Sequence, residues 1–227
     1  MSEPLTLEVL DGDGAIREAL DEGMQGTRSE LFRKAIVGGG TFLAGGVLIG
    51  GLPKVALGKK SARQDGVILN FALLLEYLES EFYVQAVNGG ALGGDLLAFA
   101  TVVRDHELAH VDFLKTALGS AAIAKPAFDF KGTTTDATRF VATSIVLEDT
   151  GVAAYNGQGP RLRKATLPAA ASIVSVEARH AAWIRHLAAA PAYAAGRSSY
   201  PAPDVLDAPL TKKQVTAAVG ATGFIVG

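Results

Sequence analysis

Asp105-His106-Glu107-Leu108-Ala109-His110-Val111-Asp112-Phe113-Leu114 sets a glutamate and a histidine three residues apart in a helix-forming run. Three residues bring a helix most of a turn round, so Glu107 and His110 share one face. The spacing recurs in Ser175-Val176-Glu177-Ala178-Arg179-His180-Ala181-Ala182-Trp183. One carboxylate–imidazole pair facing another is a familiar way of building a metal site inside a helical bundle.

Two further stretches complete a pattern. Leu75-Glu76-Tyr77-Leu78-Glu79-Ser80-Glu81-Phe82-Tyr83 and Leu147-Glu148-Asp149-Thr150-Gly151-Val152-Ala153-Ala154-Tyr155 each place a tyrosine seven residues after a glutamate, two turns on and on the same face. The chain thus reads Glu-x6-Tyr, Glu-x-x-His, Glu-x6-Tyr, Glu-x-x-His. Glu76 to Glu107 is 31 positions and Glu148 to Glu177 is 29, the order expected of a duplicated two-helix unit. It supplies four carboxylates and two imidazoles at one level of a bundle. Such a set suits two Fe or Mn ions, because bridging carboxylates hold two cations close together. Glu76 and Glu148 sit in apolar company, where an unpaired carboxylate is costly.

The elements around these residues predict an all-α fold. Helices are expected from about Asp65, read as an N-cap, to Asn88; from Gly93-Gly94-Asp95 to Leu118; from Thr135-Asp136 to Asn156-Gly157; and from Leu167-Pro168 to just before Pro191. The first and last connections are short and suit antiparallel neighbours. The middle one, Ser120 to Thr134, is long enough at ~3.3 Å per residue to run the length of a ~24-residue helix. Short, long, short is the loop pattern of a four-helix bundle with one long crossover. Leu210-Thr211-Lys212-Lys213-Gln214 has the form of a capping box opening a short last helix.

Of the 227 residues, 49% are hydrophobic and 19% charged, with a formal net charge of -2. That balance argues against an acidic disordered chain and against nucleic acid as a partner. The absence of cysteine excludes disulfides, thiolate metal sites, Fe–S clusters and cysteine nucleophiles. The expected organisation is a polar leader over residues 1–27, a signal-like segment over 28–58, the bundle over 59–190 and a C-terminal extension over 191–227. In the second of these, Arg28, Arg33 and Lys34 precede the uncharged, Gly-rich run Ala35 to Leu52, and Ala56-Leu57-Gly58 offers a small-residue cleavage site. Thr27-Arg28-Ser29-Glu30-Leu31-Phe32-Arg33 resembles a twin-arginine export signal, with Ser29 where the second arginine belongs. Export to the periplasm, cell envelope or exterior is expected, with membrane contact only through this segment.

The chain resembles the ferritin-like superfamily, and within it the exported ferritin-like domain proteins related to plant desiccation-related proteins. The resemblance rests on Leu69-Asn70-Phe71-Ala72-Leu73-x-Leu75-Glu76-Tyr77-Leu78-Glu79, His106-Glu107-x-x-His110-Val111-x-Phe113-Leu114, Glu148-x-x-Gly151-Val152-x-x-Tyr155 and Val176-Glu177-Ala178-Arg179-His180-Ala181-Ala182-x-x-Arg185, over residues 65–190. It implies Glu76, Glu107, His110, Glu148, Glu177 and His180 as ligands of two Fe or Mn ions. It also implies two readings of function. One is an oxidoreductase acting on O₂, peroxide or Fe(II), with a small oxidant as partner. The other is a non-catalytic, metal-binding or desiccation-protective bundle.

Other residues carry paired readings. Tyr83 and Tyr155 are either partners of the site carboxylates or core aromatics. His106 either orients a ligand or is an ordinary helix residue. Glu79 and Glu81 are expected to be solvated or hydrogen-bonded, with Glu79 standing in if the register at Glu76 is wrong. His186 is expected at the surface. Asp105, Asp112 and Asp149 are expected in solvated or capping roles, and Arg179 and Arg185 in helix salt bridges.

Overall fold

A computed structural model of the protein describes residues 60–189 and 200–226. The leader and signal-like segment lie outside the described residues. Four long helices form the body: α1 (Ala62–Asn88), α2 (Gly94–Leu118), α3 (Ala137–Gln158) and α4 (Leu167–Ala189). α1 packs on α2 and α3 on α4 as two hairpins, and the crossover between α2 and α3 carries a two-residue strand, β1 (Ala127–Phe128). A shorter helix, α5 (Lys212–Thr222), and a second strand, β2 (Ile225–Val226), close the chain. The all-α bundle expected from the sequence is the fold observed.

Local chemistry sets the helix ends, with two corrections. Ser61, not Asp65, caps α1: its hydroxyl accepts from the Gln64 amide at 3.1 Å. Asp65 lies inside the first turn, buried, and accepts from the backbone and guanidinium of Arg163 and from the Thr166 hydroxyl. It therefore ties the start of α1 to the α3–α4 connection. Helix α3 runs through Gly157 instead of stopping there. That glycine serves a close approach: a Cβ at this position would sit 1.8 Å from the Leu210 carbonyl oxygen. The Leu210 amide donates to Ala153 O at 3.0 Å, so the segment leading into α5 lies directly on α3. Asp136 caps α3, and Thr211 with Gln214 forms the expected capping box on α5.

The crossover is fastened at both ends. Asn70 on α1 donates to Ala121 O and accepts from the Ile123 amide, both at 2.9 Å. Farther on, β1 pairs antiparallel with β2, Ala127 opposite Val226 and Phe128 opposite Ile225. No sequence period marks two-residue strands, and this pairing was not expected.

Apolar residues form two clusters. One gathers Phe82, Phe99, Phe130, Phe140, Ile184 and the α5 residues Val215 and Val219; the other gathers Leu69, Leu73, Val111, Leu114, Leu162 and Ile173. Phe82 stacks on Phe140 at 5.2 Å and meets Phe130 edge-on at 5.4 Å. Such pairs add about 0.5–1.5 kcal/mol beyond burial alone. On α2, Phe99 and Val103 belong to the first cluster and Val111 and Leu114 to the second, with Glu107 between them. On α4, Glu177 and His180 fall between Ile173 and Ile184 in the same way. The charged level is thus walled by hydrocarbon on both sides along the bundle axis. No helix among the described residues is long and apolar enough to cross a membrane.

Candidate metal centre

All six residues singled out by the repeat meet at this level. Ligand-type atoms of Glu76, Glu107, His110 and Glu177 lie within 4.8 Å of one another, and so do those of Glu107, Glu148, Glu177 and His180. The two groups share Glu107 and Glu177. Each also keeps one carboxylate and one imidazole of its own: Glu76 with His110, and Glu148 with His180. The four glutamates are fully buried, and His180 is 2% exposed. The His110 side chain, 12% exposed, is the most open of the six.

His110 Nδ1 lies 3.2 Å from Glu76 Oε2, Glu107 Oε2 and Glu177 Oε1. His180 Nδ1 lies 3.0 Å from Glu107 Oε1 and 3.3 Å from Glu148 Oε2. Yet His180 Nδ1, Glu107 Oε1, Glu148 Oε2 and both Glu177 oxygens are fully buried without a hydrogen bond. The separations are short but the alignment is wrong for donor and acceptor. Polar atoms that converge in a buried space without bonding one another are what ligands of a common cation present. A divalent cation would also offset the cost of burying these charges together. The donor set therefore fits Fe or Mn, both of which accept mixed oxygen and imidazole ligands.

The tyrosines join the site across helices. Tyr155 on α3 donates to Glu76 Oε1 on α1 at 2.5 Å, and Tyr83 on α1 donates to Glu148 Oε1 on α3. The Tyr83 oxygen also lies 2.5 Å from the Ser144 hydroxyl, which donates to it because the phenol proton is committed to Glu148. Both tyrosines are therefore partners of site carboxylates. Burial, followed for Tyr83 by the charge of Glu148 and for Tyr155 by that of Glu76, holds each phenol well above its usual range. Both remain protonated donors. Ser144 was not anticipated; its position four residues before Glu148, on the same face, was the available signal.

Three of the paired readings resolve. His106 Nδ1 is 2.8 Å from His180 Nε2, and the two rings stack at 5.1 Å with 19° between their planes. With His180 Nδ1 directed at the carboxylates, its proton sits on Nε2 and is donated to His106, so His106 orients the ring. For Glu79 the solvated half of the expectation is corrected: it is 3% exposed, among the other carboxylates, yet belongs to neither group of ligand-type atoms. Glu81 keeps to expectation, bonded to Lys125 and Gln85. Elsewhere, Arg185 on α4 makes a forked ion pair with Asp149 on α3, His186 is exposed, and Arg179 donates to Ser175 at 3.3 Å.

Electrostatics follow from crowding. Burial lowers the His110 pKa, but the carboxylates of Glu107, Glu177 and Glu76 close against Nδ1 outweigh it and push the value up to about 12. Burial, then the charges of neighbouring glutamates, pushes Glu107 and Glu177 well above the ordinary carboxylate range. Burial also raises Glu76, but hydrogen bonds led by His110 reverse this and leave it lowered. Without metal the site holds its charge balance with protons.

The family model described as a ferritin-like domain matches residues 64–190. The chain belongs to the ferritin-like family. No curated protein matches the sequence. In this ferritin-like chain the matched residues contain α1 from its third residue, the other three long helices and every residue of the candidate metal centre.

Proposed function

We propose that the protein is an exported di-metal protein holding two Fe or Mn ions, and that it acts as an oxidoreductase on O₂, peroxide or Fe(II). The observation that carries this reading is the sharing of Glu107 and Glu177 between two groups that each keep one glutamate and one histidine of their own. Glu76 and His110 would serve one ion, Glu148 and His180 the other, with Glu107 and Glu177 bridging. Bound iron or manganese would supply one-electron chemistry and Lewis acidity. The protein's part is to hold the ligands. Tyr155 and Tyr83 fix the terminal carboxylates, His106 fixes His180, and the apolar clusters exclude water from the level. His110, as the most open ligand, marks the side from which a small oxidant would enter. The signal-like residues 28–58 support export.

A second reading, a non-catalytic stress- or desiccation-protective bundle, is favoured by the near-complete enclosure of the donor atoms, which would suit a metal pair used to hold four helices together.

Elemental analysis of the purified protein beside Glu107→Ala/Glu177→Ala tests the metal site. About two Fe or Mn per chain, lost in the variant, is expected from the two groups. No stoichiometric metal after anaerobic reconstitution would defeat both readings. Peroxide and Fe(II) oxidation assays on the loaded protein then separate them: turnover supports the oxidoreductase, and full occupancy without turnover supports the protective bundle.

A further inference from the structure

The two ends of the bundle differ in charge. Asp65 draws the α3–α4 connection onto the start of α1, accepting from the Arg163 amide at 3.2 Å and from the Arg163 guanidinium at 2.8 Å. The last turn of α2 lies at the same end, because α1 and α2 form a hairpin and Asn70 holds Ala121 and Ile123. Six basic residues gather there: Lys60 and Arg63 at the start of α1, Lys115 at the end of α2, and Arg161, Arg163 and Lys164 in the connection. Lys60, Arg63, Lys115 and Lys164 are exposed, and the Arg163 side chain is 46% exposed even while it holds Asp65. Against them stands one carboxylate. Asp65 is buried, and neither residues 115–126 nor residues 155–170 contain another acid. The opposite end is mixed: Asp95, Asp129 and Asp136 lie there with Lys131 and Arg139, and Lys131 pairs with Asp129 at 2.7 Å.

A one-sided set of exposed cations attracts a polyanion. Two features select a lipid surface over a soluble one. Val67, one turn after Arg63 on the same face of α1, is 47% exposed, and Leu167, three residues after Lys164 at the start of α4, is 39% exposed. Apolar side chains beside cations fit an interface in which acyl chains lie beneath charged headgroups. In the sequence, the uncharged run Ala35 to Leu52 is followed by Lys54, Lys59 and then Lys60, the order of a basic segment next to a membrane-seeking one. We propose that this end of the bundle docks on an anionic phospholipid surface, its basic side chains meeting the phosphates while Leu167 and Val67 enter the interface. The proposal goes beyond the di-metal reading and does not depend on it, for none of these residues belongs to the metal centre.

The chain has no cysteine, so one introduced thiol carries a label uniquely. In the full chain, Ala165→Cys puts an environment-sensitive fluorophore in the basic connection and Ala98→Cys puts it near the opposite end, both at exposed positions. Each is titrated with vesicles of phosphatidylcholine, alone or mixed with an equal share of phosphatidylglycerol. The label at position 165 should shift to the blue on the anionic vesicles only, and the label at position 98 should not shift. About 1 M salt, where the screening length is roughly 3 Å, should reverse the shift. Adding Arg63→Gln/Lys164→Gln should raise the lipid needed for half the shift by about 10–30-fold. Arg163 is left intact because it holds Asp65. Arg63→Lys/Lys164→Arg, which keeps both charges, should keep the original lipid dependence; a loss equal to that of the Gln pair would overturn the proposal. Membrane insertion of residues 28–58 alone would hold the chain on both kinds of vesicle whatever the salt, with no shift at position 165, and would overturn it too. So would equal shifts at both labels, or tighter binding to heparin than to the vesicles, which would assign the patch to a soluble polyanion.

Discussion

The Tyr155 hydroxyl on α3 donates to Glu76 Oε1 on α1 at 2.5 Å, and the mirror-image bond joins Tyr83 on α1 to Glu148 on α3. Each tyrosine serves the glutamate of the other helix. Its own glutamate, seven residues earlier, is ~10 Å away along the axis. The two bonds coexist only if α1 and α3 run in opposite directions, so they fix register as well as carboxylate position. Tyr155→Phe keeps the ring in the core and removes the donor. We expect about 1–3 kcal/mol lower stability from the unsatisfied carboxylate and about 10–100-fold weaker metal binding at the group that contains Glu76. Thermal unfolding and Zn(II) competition titrations measure these. Unchanged metal affinity would show that the tyrosine only packs.

His106 is the outer partner of His180. Burial, then the neighbouring His180 and His110 rings, hold its pKa below the ordinary imidazole value, so it remains a neutral acceptor at pH 7. His106→Ala should weaken metal binding at the group that contains Glu148 and His180 by about 10–100-fold, and His106→Gln, which restores an acceptor, should recover part of the loss. Stepwise metal titration distinguishes the two groups. Equal loss in Ala and Gln variants would count against an orienting hydrogen bond.

Protons and metal compete for one set of atoms. In the metal-free protein His110 is raised to about 12, and Glu79, Glu107 and Glu177 are raised by burial and mutual charge. A raised pKa gives stability that is complete below the unfolded value and lost as pH rises through the folded one. For His110 that loss runs from about 6.5 upward, and for the three carboxylates it begins near pH 4.5. Glu76, whose pKa is lowered, acts in the opposite sense, its contribution present above about pH 4.5 and lost as pH falls through its folded value. Metal-free protein should therefore lose stability between pH 5 and pH 8. Metal affinity should rise over the same interval, by about tenfold per pH unit for each proton displaced. Calorimetric titrations in buffers of different ionisation enthalpy count those protons. Metal binding without proton release would refute this account.

Gly157→Ala isolates the docking of the C-terminal segment. Alanine favours helix by about 1 kcal/mol over glycine, but its Cβ would fall 1.8 Å from the Leu210 oxygen. The backbone of residue 210 must move, breaking its bond to Ala153 and shifting α5 with Val215 and Val219 out of the core. Net destabilisation of about 1–3 kcal/mol, the usual cost of overpacking, is expected in thermal unfolding. A more stable variant would mean that the segment docks loosely.

The helices were legible because each carries its own signal. Asp136 caps α3, Thr211 and Gln214 open α5, and apolar residues keep helical spacing throughout. Misreadings arose where a residue served a distant partner. Asp65 was mistaken for a cap because a carboxylate at a helix start is locally indistinguishable from one held by Arg163, about a hundred positions away. Gly157 read as a stop because sequence does not show which glycines face a neighbouring backbone.

By itself the sequence determined that four helices would form and that Glu76, Glu107, His110, Glu148, Glu177 and His180 would each lie on one face of its own helix, since helical period is a property of the local chain. Only the tertiary structure decided that Glu107 and Glu177 are the shared pair, that each tyrosine crosses to the opposite helix, and that Glu79 turns inward beside Gly151. Those outcomes depend on the rotation and axial register of four helices against one another. Packing between residues far apart in the chain sets both, and no local period encodes them.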